Sequence, residues 1–576
     1  MCGIAGIIGA GEYSSSLEKM LKTQAHRGPD HTGRYFEQAF AALGHNRLSI
    51  IDLSPEAHQP FFDETKRFQL VFNGEIYNYK ELRQELASGY NFITRSDTEV
   101  LLAAFLKWGK ACLQHLNGMF AFAIWDAKEK KLFAARDRFG VKPFYYTEAG
   151  GVLYFASEIK ALESVIPETK PNEKVWASYF AYGSYGMPDE TFYKGIHQLP
   201  GGHFLEYSEG KLSTEAWYDF KERVSAIKPK KDFEEAKATY FNLLKDSIRL
   251  RFRADVSLGF NLSGGVDSSL LLALVNLFED RRNITAYSFY TGNERYDELP
   301  WVERMIATTK NPLKKVRFSA EEVAETAAFI SKSQDEPFGG IPSLAYSKIF
   351  RQAQQDGVKV LLDGQGMDEQ WAGYDYYMNP ESNSTIQGAG EKSAFRPNVL
   401  NPDFLALAEK PVYPEPFQER ILNLQYRDLF YTKIPRALRF NDRISMAYST
   451  ELREPFLDHR MVEFAFAQPA DFKIHKGVQK YLLREILKEL APKELTYAPK
   501  RPLQTPQREW VGDELREFTE AQLEKLLASP AAGWFNKKEL EKEWKKYRAG
   551  DRESSFHIWQ WVNGGMLLER CDAVKE

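Results

Sequence analysis

The sequence predicts two dissimilar domains in one chain: a layered α+β domain, then an α/β domain built on a parallel sheet with a helical extension. Three observations carry this expectation. The chain has 576 residues, more than one hydrophobic core organises. Its first 215 or so residues are rich in short β-type runs punctuated by Gly and Asn turns. Beyond Val256 a strand, a Gly-containing turn, a helix and a second strand follow in the order of a βαβ unit, which implies a parallel sheet.

The individual elements follow from local pattern. The apolar start through Ile8 reads as a buried strand, as do Arg67 to Phe72 and Met119 to Trp125, whereas Asp97 to Trp108 reads as a helix. Between Asp219 and Asp232 the chain turns Lys-rich around Pro229, and helical periodicity begins at Phe233. A linker is therefore expected at 216–232, dividing a domain at 1–215 from one at 233–576. In the second domain Val256 to Leu262 is a strand, Asp267 to Phe278 a helix and Thr285 to Tyr290 a strand. A further strand, Val358 to Leu362, runs into Asp363-Gly364-Gln365-Gly366, and beyond Pro411 the pattern is mostly helical. In Lys480 to Leu490, Leu482, Leu483, Ile486, Leu487 and Leu490 mark one buried face, with Lys480 in the first turn.

Composition narrows the class of function. With 76 basic against 80 acidic residues the net charge is −4 and no long run of one sign occurs, which argues against a nucleic-acid binder. Apolar residues make up 43%, enough for more than one core. Apolar stretches such as Leu270 to Val275 are too short to span a membrane. The start has neither a basic n-region nor a cleavage site, so a cytoplasmic location is the expectation. The three cysteines, Cys2, Cys112 and Cys571, lack disulfide or zinc spacing.

Cys2 becomes N-terminal if the initiator methionine is removed, placing a thiol beside an α-amine that is partly unprotonated near neutral pH. One residue then carries nucleophile and base. Attack on an amide also needs oxyanion donors, and Asn73 and Gly74 follow a strand where an amide and a backbone N–H are available. Glu75 and Asp97 suit an α-ammonium and Arg47 an α-carboxylate; each alone also fits a plain turn or cap. Together, Met1-Cys2-Gly3-Ile4-Ala5-Gly6, His26-Arg27-Gly28-Pro29-Asp30, His45 to Asp52, Asn73 to Asn78 and Ser96-Asp97-Thr98-Glu99 resemble the class II glutamine amidotransferase domain. The resemblance implies an αββα sandwich of the N-terminal nucleophile hydrolase type. It makes Cys2 the nucleophile that forms a γ-glutamyl thioester, and Asn73 and Gly74 the oxyanion hole. Arg47 with the backbone through Leu48, Ser49, Ile50 and Ile51, plus Glu75 and Asp97, become the glutamine pocket.

The second anchor is Leu262-Ser263-Gly264-Gly265-Val266-Asp267-Ser268-Ser269, between a strand and a helix. Two glycines admit close approach, and successive N–H groups at a helix start form a nest for phosphate oxygens, with Ser263, Ser268 and Ser269 adding hydroxyls. No Walker lysine follows, so cleavage at the α-phosphorus gains over γ-phosphoryl transfer. The octet resembles the pyrophosphate loop of adenylating enzymes. With Asp363 to Glu369, Gly373-Tyr374, Arg443 to Ala447, Glu454 to Asp458 and Gln479 to Glu485, it resembles the synthetase domain of the glutamine-hydrolysing asparagine synthetases.

That resemblance implies ATP as co-substrate, with Leu262, Ser263, Gly264, Gly265, Asp267, Ser268, Ser269, Thr291, Asp363 and Gly364 lining its site. It also implies Mg²⁺ on Asp267 and Asp368, and Lys480 as the cation that stabilises the α-phosphorus and the departing pyrophosphate. Arg439 and Arg443 are candidates for clamping the acceptor carboxylate. One position departs: the best-known members carry Glu where this chain has Gln365, and an amide accepts no proton at neutral pH, which leaves Asp363 as a candidate for that duty. The implied substrates are glutamine, aspartate and ATP, and a homodimer is compatible. A carboxylate acceptor other than aspartate, such as a sugar acid or a peptide, and a regulatory paralogue without turnover stand as alternatives. Ammonia passing between two sites also predicts a largely apolar domain interface.

Overall fold

The computed structural model describes residues 2–166, 168–279, 283–379, 384–385, 394–498 and 504–569. Its N-terminal part contains two six-stranded antiparallel sheets. One runs in the order His197–Gln198, Tyr145–Ala149, Val152–Ala156, Gly3–Ile8, Ala41–Arg47, His31–Glu37. The other runs Lys211–Ala216, His203–Ser208, Lys131–Arg136, Gly118–Asp126, Phe68–Ile76, Phe61–Phe62. Because side chains alternate along a strand, the first strand is apolar on both faces. Ile4 and Ile8 meet Val71, Ala121 and Ala123 of the facing sheet, while Ala5 and Ile7 meet Leu17, Met20 and Leu21 of the helix Ser14–Thr23. The second sheet is covered outside by the helix Asp97–Trp108, whose Val100, Leu101 and Ala104 pack with Phe72 and Phe122. The layers are therefore αββα. Gly6 leaves room for its cross-strand neighbour, since a Cβ there would lie 2.2 Å from the Phe155 ring.

The second part holds a five-stranded, all-parallel sheet in the order Leu313–Arg317, Ala286–Tyr290, Leu258–Asn261, Val360–Leu362, Glu451–Arg453. Phe260 of the central strand packs with Leu270 and Leu274 of the following helix Val266–Glu279. The helical extension includes Ile434–Met446, His459–Ala467, Arg516–Ala528 and Phe556–Leu567. Trp561 and Val562 of the helix Phe556–Leu567 join one core with Trp176 and Phe180 of the helix Glu173–Tyr182, so that helix is packed against the first third of the chain. No helix among the described residues is long and apolar enough to cross a membrane. Cys112 is buried and free, and Cys571 lies outside the described residues.

Three details differ from the sequence reading. The segment 216–232 contains a helix, Phe220–Ala226, capped by the Asp219 carboxylate, which accepts from the Glu222 N–H at 2.9 Å. Phe220 and Val224 pin it to Leu429 and Phe466. Lys480 is not in a helical turn; it precedes the helix Tyr481–Leu487 in a left-handed conformation (φ 53°) and is anchored by its ammonium. The interface between the two parts is not largely apolar. Met119, Phe139 and Val141 do pack against Leu429, Leu438 and Leu457. Beside them Arg27 lies fully buried between Glu158 (2.9 Å) and Asp442 (2.8 Å). Arg453 sits 3.5 Å from Glu75 across the same seam. Acidic side chains from both parts thus face the guanidiniums that burial would otherwise leave unpaired.

Candidate functional sites

The first site forms where the opening strand meets the strand Phe68–Ile76. The Cys2 N–H donates to Asn73 Oδ1 at 2.9 Å, its carbonyl accepts from Arg27 Nε at 3.0 Å, and its thiol points to the Leu48 carbonyl at 3.9 Å. Asn73 is fully buried, and its Nδ2, opposite the bonded oxygen, has no hydrogen-bond partner. Gly74 is extended at φ 156°, and any Cβ there would lie 2.1 Å from the Met119 carbonyl. Only glycine lets this stretch stay in the ladder. Burial pushes the Cys2 thiol up, so the resting sulfur is protonated and attack needs a base.

The loop Leu48 to Ile51 is buried and tied down by Asp30, which accepts the Ser49 N–H at 2.8 Å. Arg47 folds over it, donating to the Ser54 carbonyl at 2.9 Å and to the carbonyls of Ile51 and Asp52. Asp97 sits at the N-terminus of its helix with Oδ2 accepting the Ile76 N–H at 2.9 Å, and burial pushes its carboxyl up to about 6. Glu75, also held well above the usual range by burial and by Glu451, faces Arg453. The structure thus brings Cys2, Arg47, the 48–51 loop, Asn73, Gly74, Glu75 and Asp97 together.

The second site lies at the C-terminal edge of the parallel sheet, where such sheets leave a crevice for ligands. Gly264 has φ 76° and a Cβ there would meet Trp301 Cβ at 2.7 Å, so the turn requires glycine. Ser263 and Ser268 hydroxyls lie 3.1 Å apart across the loop, and the buried Ser269 Oγ has no partner. Lys480 Nζ closes the loop, 2.6 Å from Asp267 Oδ2 and 2.6 Å from Asp368 Oδ1. Although burial opposes it, these two carboxylates hold the ammonium above its ordinary pKa. Gly373 makes room for the trio: a Cβ there would lie 1.9 Å from Asp368 Oδ1 and 2.2 Å from Lys480 Cε.

Around this centre, Asp363 Oδ2 accepts from Tyr346 at 2.6 Å and Oδ1 from the Gly364 N–H at 2.6 Å. Thr291 donates through N and Oγ1 to Asp297 at 2.7 and 2.9 Å. Leu262 donates its N–H to the Tyr287 carbonyl at 2.9 Å, which fixes the loop's origin on the sheet. Asp297 and Tyr346 escaped the sequence reading, because each orients its partner through a contact that no local motif announces. Arg439 and Arg443 do not form an open clamp. Arg439 pairs with Glu336 at 3.0 Å, and fully buried Arg443 donates to the Ser157 carbonyl at 2.8 Å and lies 3.4 Å from Glu158. Among the described residues no cluster of three or more His, Cys, Asp or Glu side chains could hold a metal. Two carboxylates converging on one cation still fit Mg²⁺, which takes one or two protein carboxylates and completes its shell with phosphate oxygens and water.

Residues 1–218 match the glutamine amidotransferase domain family, and residues 240–571 match the asparagine synthase family. The chain is 31% identical to a putative glutamine-hydrolysing asparagine synthetase of Mycobacterium bovis, over 97% of this chain and 94% of the relative. It is 30% identical to glutamine-hydrolysing asparagine synthetase 3 of Bacillus subtilis, over 87% and 86%. It is also 26% identical, over 91% and 93%, to a Gibberella zeae protein named amidase chry2, so similarity of this extent spans differently named activities. An αββα domain with its buried cysteine, joined to a parallel sheet with its serine-glycine loop, agrees with both matches, and the chain belongs to the asparagine synthase family with an N-terminal glutamine amidotransferase domain.

Proposed function

We propose that this chain is a glutamine-dependent asparagine synthetase whose glutaminase domain spans 1–215 and whose synthetase domain spans 233–576. The α-amine of Cys2, freed by loss of Met1 and positioned by Asn73 Oδ1, takes the thiol proton, and the sulfur attacks the glutamine carboxamide. Asn73 Nδ2 and the Gly74 N–H receive the oxyanion. Arg47 and the 48–51 backbone hold the α-carboxylate of glutamine, while Asp97 and Glu75 hold its α-ammonium, which would relieve the cost of burying both carboxyls.

In the second domain the Ser263 to Ser269 turn cradles the phosphates of ATP, and aspartate attacks the α-phosphorus to give β-aspartyl-AMP and pyrophosphate. Lys480 neutralises charge on the departing pyrophosphate, and Leu262, Thr291, Asp363 and Gly364 line the nucleotide. Mg²⁺, when held by Asp267 and Asp368, supplies further charge neutralisation. Ammonia then displaces AMP to leave asparagine. The observation that carries this reading is the Lys480 ammonium locked between two carboxylates at the mouth of the serine-glycine loop, a cation placed for a leaving polyphosphate.

Incubation with ATP, Mg²⁺, glutamine and aspartate should yield asparagine, AMP and pyrophosphate. Cys2→Ala should abolish the glutamine-dependent reaction and spare the one fed with ammonia; ADP in place of AMP would reject the assignment. Gln365, and the engagement of Arg439 and Arg443 with protein groups, favour a second reading in which the acceptor is another carboxylate. Replacing aspartate by candidate acids in the same assay separates the two.

A further inference from the structure

We propose that Glu454 is the carboxylate that takes the proton released when ammonia attacks the acyl-adenylate. The inference rests on the synthetase reading above and adds a residue to it. The amide of Gln365 offers no basic site. Asp363, the other candidate in that turn, already accepts through both oxygens, from Tyr346 and from its neighbour's N–H.

Glu454 stands beside that turn by sheet register. Leu362 pairs with Arg453 on adjacent parallel strands, and the Asp363 N–H donates to the Arg453 carbonyl at 3.0 Å. Asp363 and Glu454 are thus the first residues past the sheet on neighbouring strands, at the edge that carries the nucleotide loop. The backbone N–H of Gln365 faces the Glu454 carboxylate. Glu454 is 4% exposed and its Oε2 has no hydrogen-bond partner, a costly arrangement unless that oxygen serves something absent from the resting protein. The same side chain lines a small cavity between the two domains, with Tyr77, Gly118, Met119 and Val141 on one side and Leu457 and His459 on the other. It therefore stands where the seam between the domains opens onto the turn that holds the adenylate. Burial and Asp363 hold its carboxyl well above the usual range against Lys142 and Arg251, which makes its anion a better base near neutral pH.

The step balances without a further reactant. The ammonia lone pair bonds to the acyl carbon, and the carbonyl electrons move to oxygen. Glu454 takes one proton from the nitrogen. The oxyanion then collapses, the bond from the acyl carbon to the phosphate oxygen breaks, and AMP leaves with that electron pair. The amide remains and Glu454 later returns its proton to water.

The test is Glu454→Gln, nearly the same shape, assayed in the full chain for three activities. Glutaminase should stay within about threefold of wild type, as should acceptor-dependent pyrophosphate exchange into ATP, while amide formation from ammonia should fall about 10²- to 10⁴-fold. Adding Gln365→Glu to that variant should recover amide formation at least about tenfold, because it returns a carboxylate to the facing turn. Wild-type amide formation in Glu454→Gln would overturn the proposal, as would exchange that falls in step with it. If Glu454→Gln loses glutaminase as well, and so is misfolded, the double variant decides: a folded double variant that makes no amide overturns the assignment. Failure of the wild-type chain to exchange pyrophosphate with aspartate would instead count against the asparagine reading, and Glu454 is then measured with the carboxylate that does drive exchange.

Discussion

Replacing Asn73 by Ala separates activity from stability in a way the local geometry makes quantitative. The side chain has two polar ends: Oδ1 accepts the Cys2 N–H at 2.9 Å, and the buried Nδ2, the proposed oxyanion donor, has no partner. Losing one oxyanion donor costs about 2.7–4 kcal/mol in the transition state, a fall of about 10²- to 10³-fold in kcat. Loss of the acceptor that positions the α-amine adds to this. Stability should scarcely move. The variant strands the Cys2 nitrogen, at about 1–3 kcal/mol, but removes an already stranded Nδ2 of similar cost. The assay is glutaminase kcat and KM, with ammonia-dependent amide formation as the control for the second domain and thermal unfolding as the control for the first. Turnover within about fivefold of wild type would refute the oxyanion assignment, since that is under about 1 kcal/mol. A collapse of ammonia-dependent activity would refute the division between the two sites.

Two further predictions follow from the charged groups. Lys480→Met leaves Asp267 and Asp368 facing each other without their shared cation, so Mg²⁺-free stability should drop by about 3–5 kcal/mol and pyrophosphate exchange should vanish while glutaminase persists. Added Mg²⁺ should stabilise the variant more than wild type, and an unchanged denaturation midpoint would contradict this. Asp97 carries its charge only above about pH 6, so KM for glutamine should rise as pH falls through that value, and Asp97→Asn should flatten the profile at a raised KM. Because its folded carboxyl keeps its proton to higher pH than the unfolded one, wild-type stability should also decline between about pH 4 and about pH 6 relative to Asp97→Asn.

What the sequence discloses depends on the range over which a signal acts. The helix Asp97–Trp108 is legible to its last residue, because Ser96 accepts the Thr98 N–H at one end and Gly109 at φ 56° stops it at the other, both readable within a few positions. The serine-glycine turn is legible for the same reason: strand, glycines and helix are consecutive. The helix Phe220–Ala226 was readable too, from Asp219 with Glu222 three residues on, but the lysines and proline that follow obscure it. Lys480 illustrates the opposite case. Its partners Asp267 and Asp368 lie 213 and 112 positions away, and their pull takes the residue out of the helix that its apolar neighbours begin. Glu454 and Asp442 gain meaning only through strand register and domain docking, neither of which leaves a periodic trace.

The charged seam bears directly on how ammonia survives the crossing that the proposed function requires. An apolar passage is the natural expectation because ammonium is no nucleophile, yet what destroys ammonia is a proton donor rather than polarity. Despite burial, Asp442 and Glu158 hold Arg27, and Glu451 and Glu75 hold Arg453, above the ordinary guanidinium range, so neither gives up a proton. Burial likewise fails to lift Glu158, Asp442 or Glu451. His26, Lys160 and Arg443 hold the first low, and Arg27 the second, while Arg453 and Lys142 hold Glu451 low; ionised, all three have no proton to lend. Such pairs lend ammonia no proton, and they fix the docking of the two domains as well. Among the carboxyls that burial does lift, Glu75 follows Gly74 of the proposed oxyanion hole and Glu454 flanks Asp363 of the proposed nucleotide turn. On the proposed function, a carboxyl that burial lifts thus stands near each site, where the reaction has protons to move.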